Sequence, residues 1–162
     1  MTADSLFRLC NSTALAGWLL LLVTGWSPRA SRVISSLITG LLVPGLLCAL
    51  YLALIASHWG GHKGGFNSLS NVMLLFTDHW MVLAGWVHYL AFDLFIGSWQ
   101  VRDARRNHVP FALVAPCLVV TFFFGPHGLL MYLILAVIAS RGKAWPGLQP
   151  ISLAHRSTVP PS

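Results

Sequence analysis

Glutamate is absent from the sequence, and the only acidic side chains are Asp4, Asp78, Asp93 and Asp103. Charged residues make up 9% of the chain, against about 25% in an ordinary soluble domain. So few charges cannot cover a water-facing surface, which excludes a soluble globular domain. Cysteine is nearly as scarce: Cys10, Cys48 and Cys117 lie far apart with no CxxC. A cysteine zinc site or a thioredoxin-like motif is therefore not indicated, and the three read as small apolar packing residues. Without glutamate there is no HExxH, and no GxSxG nucleophile elbow occurs. The HxxxH of His58 and His62 is split by Gly60 and Gly61, which argues against one metal-binding helix face. The glycine-rich GGHKGG at 60–65 lacks P-loop spacing. No metal and no soluble cofactor is expected.

What the chain does have is apolar residues, 56% of its 162, in long unbroken runs. Runs of about 20 apolar residues span a bilayer as helices. The expected fold is all-α: a polytopic transmembrane helix bundle of about four spans, forming one domain over residues 1–141. The polar, Pro-rich residues 142–162 should be a disordered tail. The first span is expected at 6–26 and is read as retained, because Asp4 breaks the basic start and no A-x-A-like cleavage site follows. SPRASR at 27–32 reads as a polar turn in which Pro28 ends the helix. The second span, 33–57, carries Pro44-Gly45 at mid-span and should kink there. Residues 58–71 form a glycine-rich loop, 67–76 a short interfacial helix, and Asp78 stands as an N-cap. The third span follows at 80–100.

The last apolar run, 111–140, is too long for one upright span, and Pro116 and Gly125-Pro126 interrupt it. It forms either a single tilted, kinked span or a hairpin of two short legs turning near Gly125; four spans is the expectation adopted. The ten Lys and Arg residues give a net charge of +6 and lie in the loops and at the two ends. That placement suits anionic lipid head groups rather than nucleic acid. Four spans divide the basic residues five against five, whereas a hairpin moves Arg141, Lys143 and Arg156 across and makes the split eight against two. The positive-inside rule thus speaks for the hairpin, and leg length speaks against it.

An ionisable group at membrane depth is costly and usually faces the bundle interior. Asp93, within HYLAFDLFIGSW at 88–99, is the sharpest case. At 3.6 residues per turn Trp86, Tyr89, Asp93, Gly97 and Gln100 share one side of the third span, and His79 continues the stripe. The stripe should face other helices, and Gly97 would admit a close neighbour. His88 lies about 140° away from Asp93 around the axis and would have to reach the same cavity from the cleft's other wall. The plainer reading of Asp93 is a hydrogen-bond clamp between spans. For Asp103, Arg105 and Arg106 the plainer reading is a head-group anchor; the functional one is an acid or anion-binding group at a cavity mouth. His127, beside the Gly125-Pro126 break, is as readily a helix-end histidine as a catalytic one.

VLAGWVHYLAFDLFIGSWQVRDARR at 82–106, FFFGPHGLLMYLIL at 122–135 and, more loosely, NSTALAGWLLLL at 11–22 resemble the abscisic-acid-deficient-four-like family of small membrane proteins. In that family a third-span His, an Asp five residues on and a loop Asp recur; they match His88, Asp93 and Asp103. The Pro and second Gly of the other motif match Pro126 and Gly128. The resemblance implies a redox-neutral carotenoid or isoprenoid isomerase, since the plant members are required to turn the epoxide violaxanthin into allenic neoxanthin. Asp93 would be the proton donor, with His88 or Asp103 as base. Trp86, Tyr89, Phe92 and Trp99 would line an aromatic cleft for the apolar isoprenoid or carotenoid ligand, with Arg105 and Arg106 at its mouth. The first span opens almost at Met1, and DARR stands where plant members tend to have Asp-Gly. The sequence therefore looks like a bacterial-type member, expected in the bacterial inner (cytoplasmic) membrane, with membrane lipid as its surroundings and self-association into an oligomer left open. The competing expectation is a non-catalytic lipid- or pigment-binding or assembly subunit.

Overall fold

A computed structural model describes residues 2–61 and 63–139. It contains helices and no strand among those residues. Helix α1 is Ala3–Thr24, opened by Thr2, whose hydroxyl accepts the Ser5 N–H. A three-residue turn at 25–27 leads into the continuous helix α2, Pro28–His58. Pro28 opens this helix at its first turn rather than ending the previous one, because the N–H it lacks would be unpaired there anyway.

The kink expected at Pro44-Gly45 takes the form of a widened helix. Ile34–Leu42 has π-helical hydrogen bonding, and Pro44 follows after Val43. A proline without an N–H cannot continue the i→i+4 ladder, and a wider turn is one way to re-register it. Thr39 Oγ1 donates to the Ile34 carbonyl at 3.1 Å within this stretch. After a short 3₁₀ turn at Trp59–Gly61, α3 is Leu69–Leu75, capped by Ser68, where a short interfacial helix was expected. Asp78 then caps α4, His79–Arg106, accepting the Trp80 and Met81 N–H groups at 2.8 and 3.1 Å. The Met81 amide foremost, with the Trp80 amide and the charges of His79 and His58, holds its carboxyl below the usual aspartate value against the opposing effect of burial. Helix α4 runs on past the expected end at 100 to Arg106, so Asp103, Arg105 and Arg106 are helical.

The last apolar run forms two helices, α5 (Phe111–Phe124) and α6 (Pro126–Ala139). They fold back on each other: Gly128 of α6 sits so close to Thr121 of α5 that a Cβ there would overlap the Thr121 backbone. Seven residues apart on a straight helix, these positions would be about 10 Å apart. Each leg has 14 residues, about 21 Å at 1.5 Å per residue, too short for the ~30 Å hydrocarbon core. The hairpin is thus the form taken by the final run. Among the described residues three helices, α1, α2 and α4, are long and apolar enough to cross a membrane.

The core lies along α4. Gly17 of α1 packs on Leu94, and Gly97 of α4 admits the indole of Trp18, the close approach small residues give between membrane helices. Leu19, Val23, Leu46 and Leu52 are exposed and form the lipid-facing surface. Cys10 and Cys117 are buried and Cys48 is exposed, all as free thiols. The proposed tail, 142–162, lies outside the described residues, as does His62.

Candidate functional site

The polar stripe read on the third span lies where α4 meets α1 and the hairpin. At its centre, midway along α4, Asp93 faces the hairpin tip. The tip is Gly125, with φ +28°, in the region that L side chains avoid. The turn is closed by the Gly125 N–H to the Thr121 carbonyl at 2.8 Å and the Leu129 N–H to the Gly125 carbonyl at 3.1 Å. A Cβ on Gly125 would lie 2.9 Å from Asp93 Oδ1 and 3.2 Å from Oδ2. One turn before Asp93, the Tyr89 hydroxyl donates to the Phe122 carbonyl at 3.3 Å. Asp93 Oδ2 is buried and meets no hydrogen bond of normal geometry; the Tyr89 hydroxyl, which donates to Phe122, is the one polar side-chain group near its carboxyl group among the described residues. A native fold rarely leaves a buried polar atom in this condition without a reason.

Toward the other end of α4 the polar groups are paired. Gln100, fully buried, exchanges hydrogen bonds with Thr121 at 3.0 and 3.3 Å. Tyr132 of α6, also fully buried, donates to Asp103 Oδ2 at 2.6 Å. Asn107 donates to the same oxygen at 3.0 Å. Trp99 packs edge-on to Tyr132, ring centroids 5.5 Å apart. Toward the start of α4, the Trp86 indole N–H donates to Asn11 Oδ1 of α1 at 2.8 Å.

The three candidate acid/base groups do not meet. His88 faces α2, its ring 5.7 Å from Tyr51 and 4.6 Å from Phe92. Asp103 is ten residues beyond Asp93, about 15 Å along the helix axis, and is tied to Tyr132. The aromatic candidates also divide. Trp86 and Tyr89 stay together on the Asp93 side, ring centroids 5.3 Å apart. A cleft of about 650 Å³ between α1 and α4 runs past Trp86, with Phe7 and Val82 in its walls. Phe92 instead borders an apolar groove of about 290 Å³ with Gly40, Pro44 and Phe95. Pro126 opens α6, and Gly128 is the contact that lets the hairpin close. Arg105 is a clamp on the turn after α1: it donates to Ser31 Oγ at 2.8 Å and to the Gly25 and Ser27 carbonyls at 2.6 and 3.2 Å. Arg106 lines a separate basic cavity with Arg32 and Arg102.

Tyr132, Asn107, Arg102 and Ser35 escaped the sequence reading. Tyr132 and Asn107 gain their roles only once the hairpin folds back and α4 extends past residue 100. Asn107 did stand four residues after Asp103, the spacing of a helical pair.

Three crossing helices and a hairpin that stops with its tip against a half-buried aspartate define a small integral membrane protein with one intramembrane carboxyl group. The chain belongs to the ABA DEFICIENT 4-like family, whose profile matches residues 5–132. That match runs from the first turn of α1 to Tyr132 and so covers every candidate site residue. No curated protein and no solved structure matches the chain.

Proposed function

We propose that this protein is a redox-neutral isomerase of a carotenoid or related isoprenoid, with Asp93 as its proton-transfer group. The observation that carries this reading is the unpartnered Asp93 Oδ2 at the tip of the hairpin. A clamp between helices would use that oxygen; a carboxyl group kept for a guest leaves it free. Since His88 and Asp103 stand elsewhere, Asp93 acts alone. In its neutral form one oxygen gives its proton to the epoxide oxygen as the C–O bond breaks. The other oxygen takes a proton from the neighbouring carbon, whose electrons form the new C=C bond. The carboxyl group ends neutral, a hydroxyl replaces the epoxide, and no electron carrier is needed. A positioned acid/base group contributes about 10²–10⁴-fold. The guest enters from the bilayer beside Trp86 and Tyr89. The eight-to-two basic split that accompanies the hairpin supports an orientation with the start of α2 and the end of α4 facing the cytoplasm of a bacterial cell.

The test is pigment composition in a violaxanthin-accumulating host that expresses the chain or its Asp93→Asn variant. A new isomer, followed by retention time and absorption spectrum, that disappears in a folded variant supports the reading. An unchanged pigment profile with the protein present in the membrane counts against violaxanthin as substrate. A second reading, a non-catalytic pigment- or lipid-binding subunit, draws on the pairing of three other stripe residues: Trp86 with Asn11, Tyr89 with the Phe122 carbonyl and Gln100 with Thr121. In that case the Asp93→Asn variant binds its guest and assembles like the wild type.

A further inference from the structure

The strongest unassigned feature is a cavity of about 310 Å³ between α2 and α4, lined by Arg32, Ser35, Ser36, Arg102, Arg105 and Arg106. Four of its six lining residues are arginines, and no ion pair forms among the described residues. Asp103, the nearest acidic residue in sequence, is turned away toward Tyr132. The cavity stands on the opposite side of α4 from Asp93: Arg102 is nine residues on, two and a half turns of helix. Arg102, Arg105 and Arg106 are spaced i, i+3, i+4 and therefore share one face.

This arrangement is built rather than a loose basic fringe. Arg102 is held in place by donating to the Ser35 carbonyl of the widened stretch of α2. Gly40 makes room for it, since a Cβ there would overlap both Arg102 and that carbonyl. One N–H of the Arg102 guanidinium is used in this way, and a planar guanidinium has five in all. Arg105 is taken up by Ser31 and the two carbonyls. Arg32 and Arg106 make no hydrogen bond to the described residues. The Ser35 side chain is fully buried, lines the cavity, and its hydroxyl has no hydrogen-bond partner.

Three guanidinium groups without a carboxylate, beside an unused buried hydroxyl, fit an anion with several acceptor oxygens and more than one negative charge. Arginine recognises phosphate bidentately and is the usual choice for it. The cavity sits at the end of α4 where the crossing helices reach the head-group layer. We propose that Arg32, Arg102, Arg106 and the Ser35 hydroxyl bind a phosphate dianion, a phosphomonoester or diphosphate, at this membrane face. Arg32 and Arg105 also border a second cavity, whose wall is partly apolar through Trp26, Val109 and Phe111. A lipid whose terminal phosphate sits among the arginines would lay its chain there. The proposal stands apart from the isomerase reading, because neither Asp93 nor its neighbours take part.

The test uses the full chain purified in a neutral detergent. Its melting temperature is titrated with short-chain phosphatidic acid, short-chain phosphatidylglycerol and inorganic diphosphate. Saturable stabilisation by phosphatidic acid, and weaker or none by the singly charged phosphatidylglycerol, is expected. Arg106→Gln and Arg32→Gln, both at exposed side chains, should each weaken it by about tenfold, the scale of one lost charge-assisted hydrogen bond. Ser35→Ala should leave the unliganded protein's melting temperature unchanged and weaken binding several-fold. Arg29→Gln, an exposed arginine at the same end of the bundle but outside the cavity, should bind like the wild type. Stabilisation by inorganic diphosphate as well assigns recognition to the phosphate alone; stabilisation by the lipid only assigns a lipid ligand. Equal losses in Arg29→Gln and Arg106→Gln, equal response to both lipids, or no saturable response to any probe would overturn the proposal.

Discussion

Asp93 and Asp103 stand ten residues apart on one helix and are treated in opposite ways. Asp103 lies near the helix end, with the Tyr132 hydroxyl at 2.6 Å and the Asn107 amide at 3.0 Å on one of its oxygens. Asp93 lies at the middle of the same helix with a buried oxygen that meets no hydrogen bond of normal geometry, the nearby Tyr89 hydroxyl being given to Phe122. The hairpin creates both situations. Its α6 leg brings Tyr132 to Asp103, and its tip brings the bare backbone of Gly125 to Asp93. A carboxylate that only needs to hold helices together is satisfied; the one left incomplete is the one at membrane depth, where incompleteness is most costly.

The comparison can be broken most severely at the hairpin itself. Gly128→Leu forces a side chain into the Thr121 backbone and should cost ~3 kcal/mol or prevent folding, read as loss of the monodisperse protein on size exclusion in detergent. Next in size is the pair of carboxyl partners. Tyr132→Phe removes the shortest hydrogen bond to Asp103 and should lower stability by about 1–3 kcal/mol, measured by thermal unfolding. Asp93→Asn should leave the melting temperature unchanged or raise it, since it removes a group that cannot be fully satisfied, while abolishing pigment conversion. If Asp93→Asn destabilises as much as Tyr132→Phe, the two aspartates do the same structural work and the contrast fails.

A smaller effect tests a third aspartate, outside the membrane. Asp78→Ala removes the α4 cap and should cost about 1 kcal/mol. The Asp78 carboxyl is held below its usual value in the folded chain. Its contribution is therefore present above the unfolded aspartate pKa of ~3.9 and is lost as the pH falls through the lower folded value. Acid titration of stability should show this loss in the wild type and not in the Asp78→Ala variant.

Much of this was legible in the sequence. The long apolar runs gave the membrane helices, Asp78 the cap of α4, and the 3.6-residue period the stripe that does face α1 and the hairpin. Gly125-Pro126 marked the break, but a break has no direction. Whether the chain continues or folds back depends on Thr121 meeting Gly128, a contact across seven residues that no helical period encodes. The count of basic residues had pointed to the hairpin where segment length had not. Pro44 signalled an irregular helix, yet the widening falls on the turns before it, at 34–42, because the missing N–H acts on carbonyls that precede it. The arginine cavity was invisible for a related reason: Arg32 and Arg102 are seventy residues apart in sequence, and only the packing of α2 on α4 brings them together.

The short hairpin also gives the molecule a lopsided profile across the bilayer. Protein fills the layer around the two legs, but opposite the tip, where Phe123 and Phe124 are each 64% exposed, acyl chains must take the place of a missing half-helix. On the proposed function, a long, stiff guest bound at the aspartate would descend through one leaflet toward these aromatic side chains. The two faces of the membrane would deliver such a molecule at very different rates, so the side on which it is made or inserted becomes part of its selection.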